Sequence, residues 1–159
     1  MGTHFDGTAE EVTAANAFVN LIRSSESILA RLNQKRTIGP LSLSQFMTMD
    51  ALLFLGPLSQ NVLGKKILKT SGNITMVVDN LEEQSLVRRE KNPTDRRSVT
   101  VYLTEKGTEL ISELVPMRVK AVTEEMSILT GEEQVELRRL CRILGTGERD
   151  EVTSGKLTS

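Results

Sequence analysis

Between Leu86 and Leu103 the apolar period of the chain changes from 3.6 to 2, and at Thr104 it changes back. Leu86-Val87-Arg88-Arg89 and Ser98-Val99-Thr100-Val101-Tyr102-Leu103 read as paired strands, with Val99, Val101 and Leu103 on one face. Asn92-Pro93-Thr94-Asp95 lies between them, where Pro cannot join a ladder and Asn and Asp favour turns. The pattern predicts one β-hairpin with a polar, Arg-bearing tip, set into a chain that is otherwise helical. A lone hairpin cannot carry a sandwich or a parallel sheet, so the fold class expected is mainly α with a small β wing.

The helices announce themselves by their starts. Thr8-Ala9-Glu10-Glu11 is a capping box, followed by Val12, Ala15, Phe18, Val19, Ile22, Leu29 and Leu32 at helical spacing until Thr37-Ile38-Gly39-Pro40 breaks the run. Ser42-Leu43-Ser44-Gln45 opens a second helix, carrying Phe46, Met49, Leu52, Leu53 and Phe54 until Gly56-Pro57 stops it. Ser59 is placed to cap a short helix over 60–68, with Val62, Leu63, Ile67 and Leu68 inward. Ser71 is placed to cap another running to about Gln84. In that one Ile74, Val77, Val78 and Leu81 form a single apolar stripe. After the hairpin, Thr104 caps a long helix with Leu110, Leu114, Val115, Ala121, Val122, Met126 and Leu129 inward, in which Pro116 should produce a kink or mark the first turns. Thr130-Gly131-Glu132-Glu133 opens the last helix, through Leu137, Leu140 and Leu144. Residues 145–159 hold few large apolar side chains and are expected to be a disordered tail.

Two short helices joined by a tight turn and followed by a hairpin make a winged helix-turn-helix over 42–103. The flanking stretches 8–36 and 104–144 are long helical arms whose stripes are too extensive for so small a domain to cover, and they read as a dimerisation region. Aromatic residues are only 3% of the chain, so its core must come from Leu, Ile, Val and Met. Net charge is −1, yet the stretch from Lys65 to Arg97 holds eight cations against five acids: a basic centre between acidic flanks.

A recognition helix presents small polar side chains near its N-terminus, where base edges are approached. Ser71, Asn73, Thr75 and Met76 are so placed, and Asn80 lies on the same face. Asn can pair with adenine, and Met or the Thr methyl can touch a thymine methyl. Ser71 serves equally as an N-cap. Lys65 and Lys66 are placed to bind phosphate, or to line a solvated face. At the hairpin tip, Asp95 beside Arg96 and Arg97 reads either as a surface ion pair or as a wing that sends an arginine into a narrow A·T-rich minor groove.

Gly56-Pro57-Leu58-Ser59, Ser71-Gly72-Asn73-Ile74-Thr75, Val78-Asp79-Asn80-Leu81-Glu82, Leu86-Val87-Arg88-Arg89, Asp95-Arg96-Arg97 and Leu103-Thr104-Glu105-Lys106-Gly107, in that order and spacing, resemble the MarR family of transcriptional regulators over roughly 10–144. The resemblance implies a homodimer of interlocked arms that binds a pseudo-palindromic operator in double-stranded DNA, acting as a repressor. It implies that Asp95 orders the wing and that Arg96 or Arg97 enters the groove. Many relatives carry a basic residue where Met76 and Asn80 stand here. It also implies relief by a small aromatic or lipophilic effector held between the arms and the DNA-binding lobe, for which Phe18, Phe46, Met47 and Met49 are the candidates, each equally readable as core.

Other functions find little support. With one His and no phosphate-binding glycine loop, the chain offers no nucleophile with its base, so no enzyme and no cofactor are expected. His4 alone makes no metal site. Cys141 is expected to be a buried, inert thiol. No apolar run or signal pattern suggests a membrane or export, so a cytoplasmic location is expected. A winged-helix protein-interaction module that does not bind DNA stays open beside the regulator.

Overall fold

The computed structural model describes residues 5–67, 71–91 and 99–148. Its elements run α1 (Ala9–Gln34), α2 (Leu43–Leu55), β1 (Leu58–Ser59), α3 (Gln60–Lys66), α4 (Ser71–Glu83), β2 (Val87–Lys91), β3 (Val99–Leu103), α5 (Glu105–Met126) and α6 (Gly131–Thr146). Two compact units result, one reaching Val122 and the other beginning at Thr123.

The capping signals are realised in the backbone. At α1, the Thr8 N–H donates to Glu11 Oε2 at 2.8 Å and the Glu11 N–H to Thr8 Oγ1 at 3.3 Å. At α2, the Ser42 N–H donates to Gln45 Oε1 at 2.8 Å and the Gln45 N–H returns to Ser42 Oγ at 3.2 Å. Thr130 and Glu133 repeat the device at α6, at 2.7 and 3.2 Å. Gly56 ends α2 at φ 75° and ψ −168°, a conformation in which a side chain would be strained.

The core of the first unit gathers around α4. Ile74, Val78 and Leu81 are fully buried there, against Met49 and Leu52 of α2, Leu63 of α3, Leu86, Val87 and Val101 of the sheet region, and Ile111 and Leu114 of α5. Phe46 belongs to the same cluster. The sheet has three strands in the order β1-β3-β2, all antiparallel. The wing hairpin pairs Val87 with Leu103 at its root and Lys91 with Val99 at its far end. β1, which sequence patterning does not reveal, adds Leu58 opposite Val101; a two-residue strand is too short to show a period. Leu68, expected inside the third helix, lies outside the described residues, as do 149–159 of the expected tail; at 145, the expected start of that tail, α6 instead continues to Thr146 and is capped by Gly147.

The root of the wing is closed tightly. The Leu86 carbonyl accepts from the Thr104 N–H at 3.1 Å, and the Thr104 hydroxyl donates to the Ser85 carbonyl at 2.7 Å. That hydroxyl also caps α5 by accepting from the Gly107 N–H at 3.0 Å. A Cβ at position 107 would lie 1.9 Å from the Leu86 oxygen, so only glycine fits.

Several residues expected to face inward do not. Phe18 is 64% exposed, and Ile22 and Leu29 of α1, Val62 of α3 and Val122 of α5 are exposed as well. α6 buries nothing: Leu137, Leu140 and Leu144 are open, and Cys141 is exposed rather than buried. The physical reason is common to them. A helical stripe is hidden only when a second layer lies on it, and a single chain provides none there. Pro116 sits within α5 rather than in its first turns. Among the described residues, no helix is long and apolar enough to cross a membrane.

Candidate nucleic-acid interface

α4 is amphipathic in the sense a reading helix requires. Its apolar stripe is consumed by the core, which turns Asn73, Thr75, Met76, Asp79, Asn80 and Glu83 outward. Met76 is 63% exposed, so one apolar side chain stands among the polar ones on this face. The Ser71 side chain lies outside the described residues. Lys65 and Lys66 form the last turn of α3 and are both exposed. α3 and α4 are also joined directly, since Gln60 Nε2 donates to Thr75 Oγ1 at 2.7 Å. The Thr75 hydroxyl is thus tied to α3 while the residue itself stays exposed on the outward face of α4.

A second anchor holds α4 from the wing side. Arg89 of β2 is half-buried, and its backbone N–H donates to Glu82 Oε1 at 3.0 Å while its guanidinium donates to Glu82 Oε2 at 2.9 Å. The same guanidinium reaches Asp79 Oδ1 at 2.5 Å and the Thr75 carbonyl at 3.3 Å. One side chain therefore clamps three successive turns of α4 to the sheet, with charge-assisted bonds on a rigid planar fork. Its neighbour Arg88 points to the other face of the strand, lies over the Tyr102 ring at 4.5 Å and pairs with Glu90. Nothing in the apolar pattern of α4 reveals this clamp. The period-2 rule, which sends Arg88 and Arg89 to opposite faces, together with acids three apart on α4, is the signal that could have found it. At the end of α4, Lys106 Nζ donates to the Gln84 carbonyl at 2.8 Å, tying α5 to the same body.

The wing tip residues Asp95, Arg96 and Arg97 lie outside the described residues; the paired positions Lys91 and Val99 are the last described on either side. Of the effector candidates, Phe46 and Met49 are packed in the core of the first unit, whereas Phe18 and Met47 lie outside that cluster with exposed side chains. The four are not brought into one described pocket. Among the described residues, no group of three His, Cys, Asp or Glu could hold a metal ion.

Comparison with known proteins agrees with this architecture. A sequence profile of the MarR family matches residues 41–99. The HTH-type transcriptional regulator MhqR of Bacillus subtilis is 36% identical over 120 residues, spanning 76% of this chain and 82% of that one. The HTH-type transcriptional repressor NicR of Pseudomonas putida is 31% identical over 138 residues, 86% of either chain. Among solved structures, BpsR of Bordetella bronchiseptica, whose DNA binding is regulated by 6-hydroxynicotinic acid, superposes with a TM-score of 0.77 at 24% identity, covering 93% of this chain and all of that one.

Proposed function

The chain belongs to the MarR family of transcriptional regulators and is no enzyme; from that premise we propose that it binds double-stranded DNA as a homodimer, in the cytoplasm, as a repressor. The observation that carries the reading is the division of α4. Its apolar side is spent on the core, while Asn73, Thr75 and Met76 stand outward near its N-terminus, clamped from one side by Gln60 and from the other by Arg89. A helix held this firmly can place side chains against base edges without reordering first.

In the proposed complex, α4 enters the major groove, with Asn73, Thr75, Met76 and Asn80 facing base edges and Ser71, Lys65 and Lys66 meeting phosphates. Asp95 orders the wing, and Arg96 or Arg97 reads the adjacent minor groove by its width and potential. The region 42–103 is the DNA-binding domain, and 8–36 with 104–144 supply the dimerisation arms. Two-fold symmetry then sets the two reading helices about 34 Å apart, and the operator is a pseudo-palindrome. The exposed apolar side chains of α1, α5 and α6 support the dimer, because patches of that kind are buried in stable proteins.

Repression relieved by a small aromatic or lipophilic effector completes the reading, supported by the fold shared with BpsR. Such a ligand releases DNA only by favouring the geometry that binds DNA less well.

Fluorescence anisotropy with a labelled fragment from the protein's own upstream region tests the function. Affinity should fall steeply with salt, and the Arg96→Ala, Arg97→Ala double variant should lose about 1–3 kcal/mol per good contact with its fold intact. Asn73→Ala should relax sequence preference more than overall affinity. No preference for any duplex, even in dilute buffer, would return the chain to the interaction-module reading.

A further inference from the structure

α4 spans Ser71–Glu83, and no Lys or Arg stands anywhere in it. Asn73, Met76 and Asn80 lie at i, i+3 and i+7, on one outward line, and all three are exposed. Thr75 stands to the side of that line, its hydroxyl accepting from Gln60 at 2.7 Å. Asp79 and Glu82 lie on the same side and are both taken up by Arg89, whose side chain keeps only 21% of its surface. Arg88 is held over Tyr102 and paired with Glu90 on the other face of the strand. The clamp therefore does more than hold the helix. It withdraws two acids and a cation from the outward line, and what stands on that line is uncharged.

Each base pair shows the major groove its own pattern. Guanine O6 and N7 are met by Arg or Lys, cytosine N4 by Asp or Glu, adenine N6 and N7 by Asn or Gln, and the thymine methyl by an apolar group. The first kind of partner is missing from α4. Of the second kind, Asp79 and Glu82 are engaged by Arg89, and Glu83 ends the helix, about 15 Å along the axis from Asn73. An amide and a thioether remain at the leading end, and those two groups match adenine and thymine. Asn73 and Met76 are separated by about 4.5 Å of helix rise, a reach that spans neighbouring base pairs.

We propose that the operator half-site carries adjacent A·T pairs beneath the leading end of α4, with Met76 against a thymine methyl and Asn73 bidentate on the neighbouring adenine. Met76 is then the residue that makes binding depend on a single methyl group. This assignment rests on the regulator reading above.

Fluorescence anisotropy on the full chain, with the duplex it selects from a random-sequence library, tests the assignment one chemical group at a time. Deoxyuridine in place of a half-site thymine removes only the methyl, and at one position should weaken wild type about fourfold per half-site. Met76→Ala should bind the thymine and deoxyuridine duplexes alike while keeping its Tm, because the side chain it truncates is 63% exposed. 7-Deazaadenine at the neighbouring position removes N7 and should weaken wild type about fivefold, an effect that Asn73→Ala should erase. Met76→Arg should shift the base preferred at the methyl position to guanine. A selected half-site without adjacent A·T pairs, wild type indifferent to deoxyuridine at every half-site position, or a methyl effect that survives in Met76→Ala would overturn the assignment. The two readings fail differently. Sequence preference without methyl dependence removes this assignment and leaves the regulator, whereas no preferred duplex removes the regulator and the assignment with it.

Discussion

Arg89 holds Glu82 twice, once through its backbone N–H at 3.0 Å and once through its guanidinium at 2.9 Å. A strand of the wing and the outward helix are thereby joined through one residue pair, with Asp79 as a third member. The side chains keep 21% and 40% of their surface, so solvent screens the pair only in part. Glu82→Gln and Arg89→Met should each destabilise the protein by about 1–2 kcal/mol, and a double-mutant cycle should return a coupling of about 1 kcal/mol by chemical denaturation. Additivity of the two changes would show that the clamp contributes nothing.

Gly107 meets the Leu86 carbonyl so closely that any side chain must displace backbone. Gly107→Ala should lose on the order of 3 kcal/mol, through overpacking rather than through helix propensity, which favours Ala. Gly131, at the start of α6, has nothing within 4 Å of an added Cβ. Gly131→Ala should be neutral or stabilising by roughly 0.5 kcal/mol. Urea unfolding followed by circular dichroism compares the two, and equal effects would contradict the steric reading.

Asp50 of α2 is half-buried, and burial pushes its carboxyl above the ordinary aspartate range. The folded state therefore favours the protonated form. The stability this contributes is complete below the unfolded pKa of about 3.9, and is lost as pH rises through the raised folded value. At pH 7 the ionised carboxylate weakens the fold. Asp50→Asn should raise Tm at neutral pH, and its advantage should shrink on acidification and vanish below about pH 4. A Tm difference independent of pH would assign the effect to something other than ionisation.

Phe18, Leu137 and Leu140 are open in the single chain. If the arms interlock, light scattering should report twice the 17.6 kDa of one chain, and Leu140→Glu or Phe18→Glu should halve the observed mass while leaving helicity intact. A wild-type mass near that of one chain at micromolar concentration would end the dimer reading.

The local grammar of the chain was legible to a degree set by range. Capping boxes at Thr8, Ser42 and Thr130, the stop at Gly56 and the stripe of α4 depend on residues three or four apart, and each stands where periodicity places it. β1 escaped because two residues have no period. The exposed faces of Phe18 and α6 escaped because periodicity reports which side of a helix is apolar, not whether anything lies on it. Cys141 was misjudged for the same reason. At the site, the outward residues of α4 were legible as the complement of its stripe. Arg89 is legible only in part: strand alternation separates it from Arg88, but which acids it meets is decided by how β2 packs on α4.

The clamp on α4 has an electrostatic consequence of its own. Asp79, Glu82 and Glu83 make the second half of that helix acidic, and bare carboxylates there would push away any polyanion laid along it. Arg89 offsets one of the charges of Asp79 and Glu82 from within the same domain, so the molecule carries part of its own counterion. What is left is a graded rod, neutral and hydrogen-bonding at its leading end and faintly repulsive behind, which favours end-on insertion over lying flat.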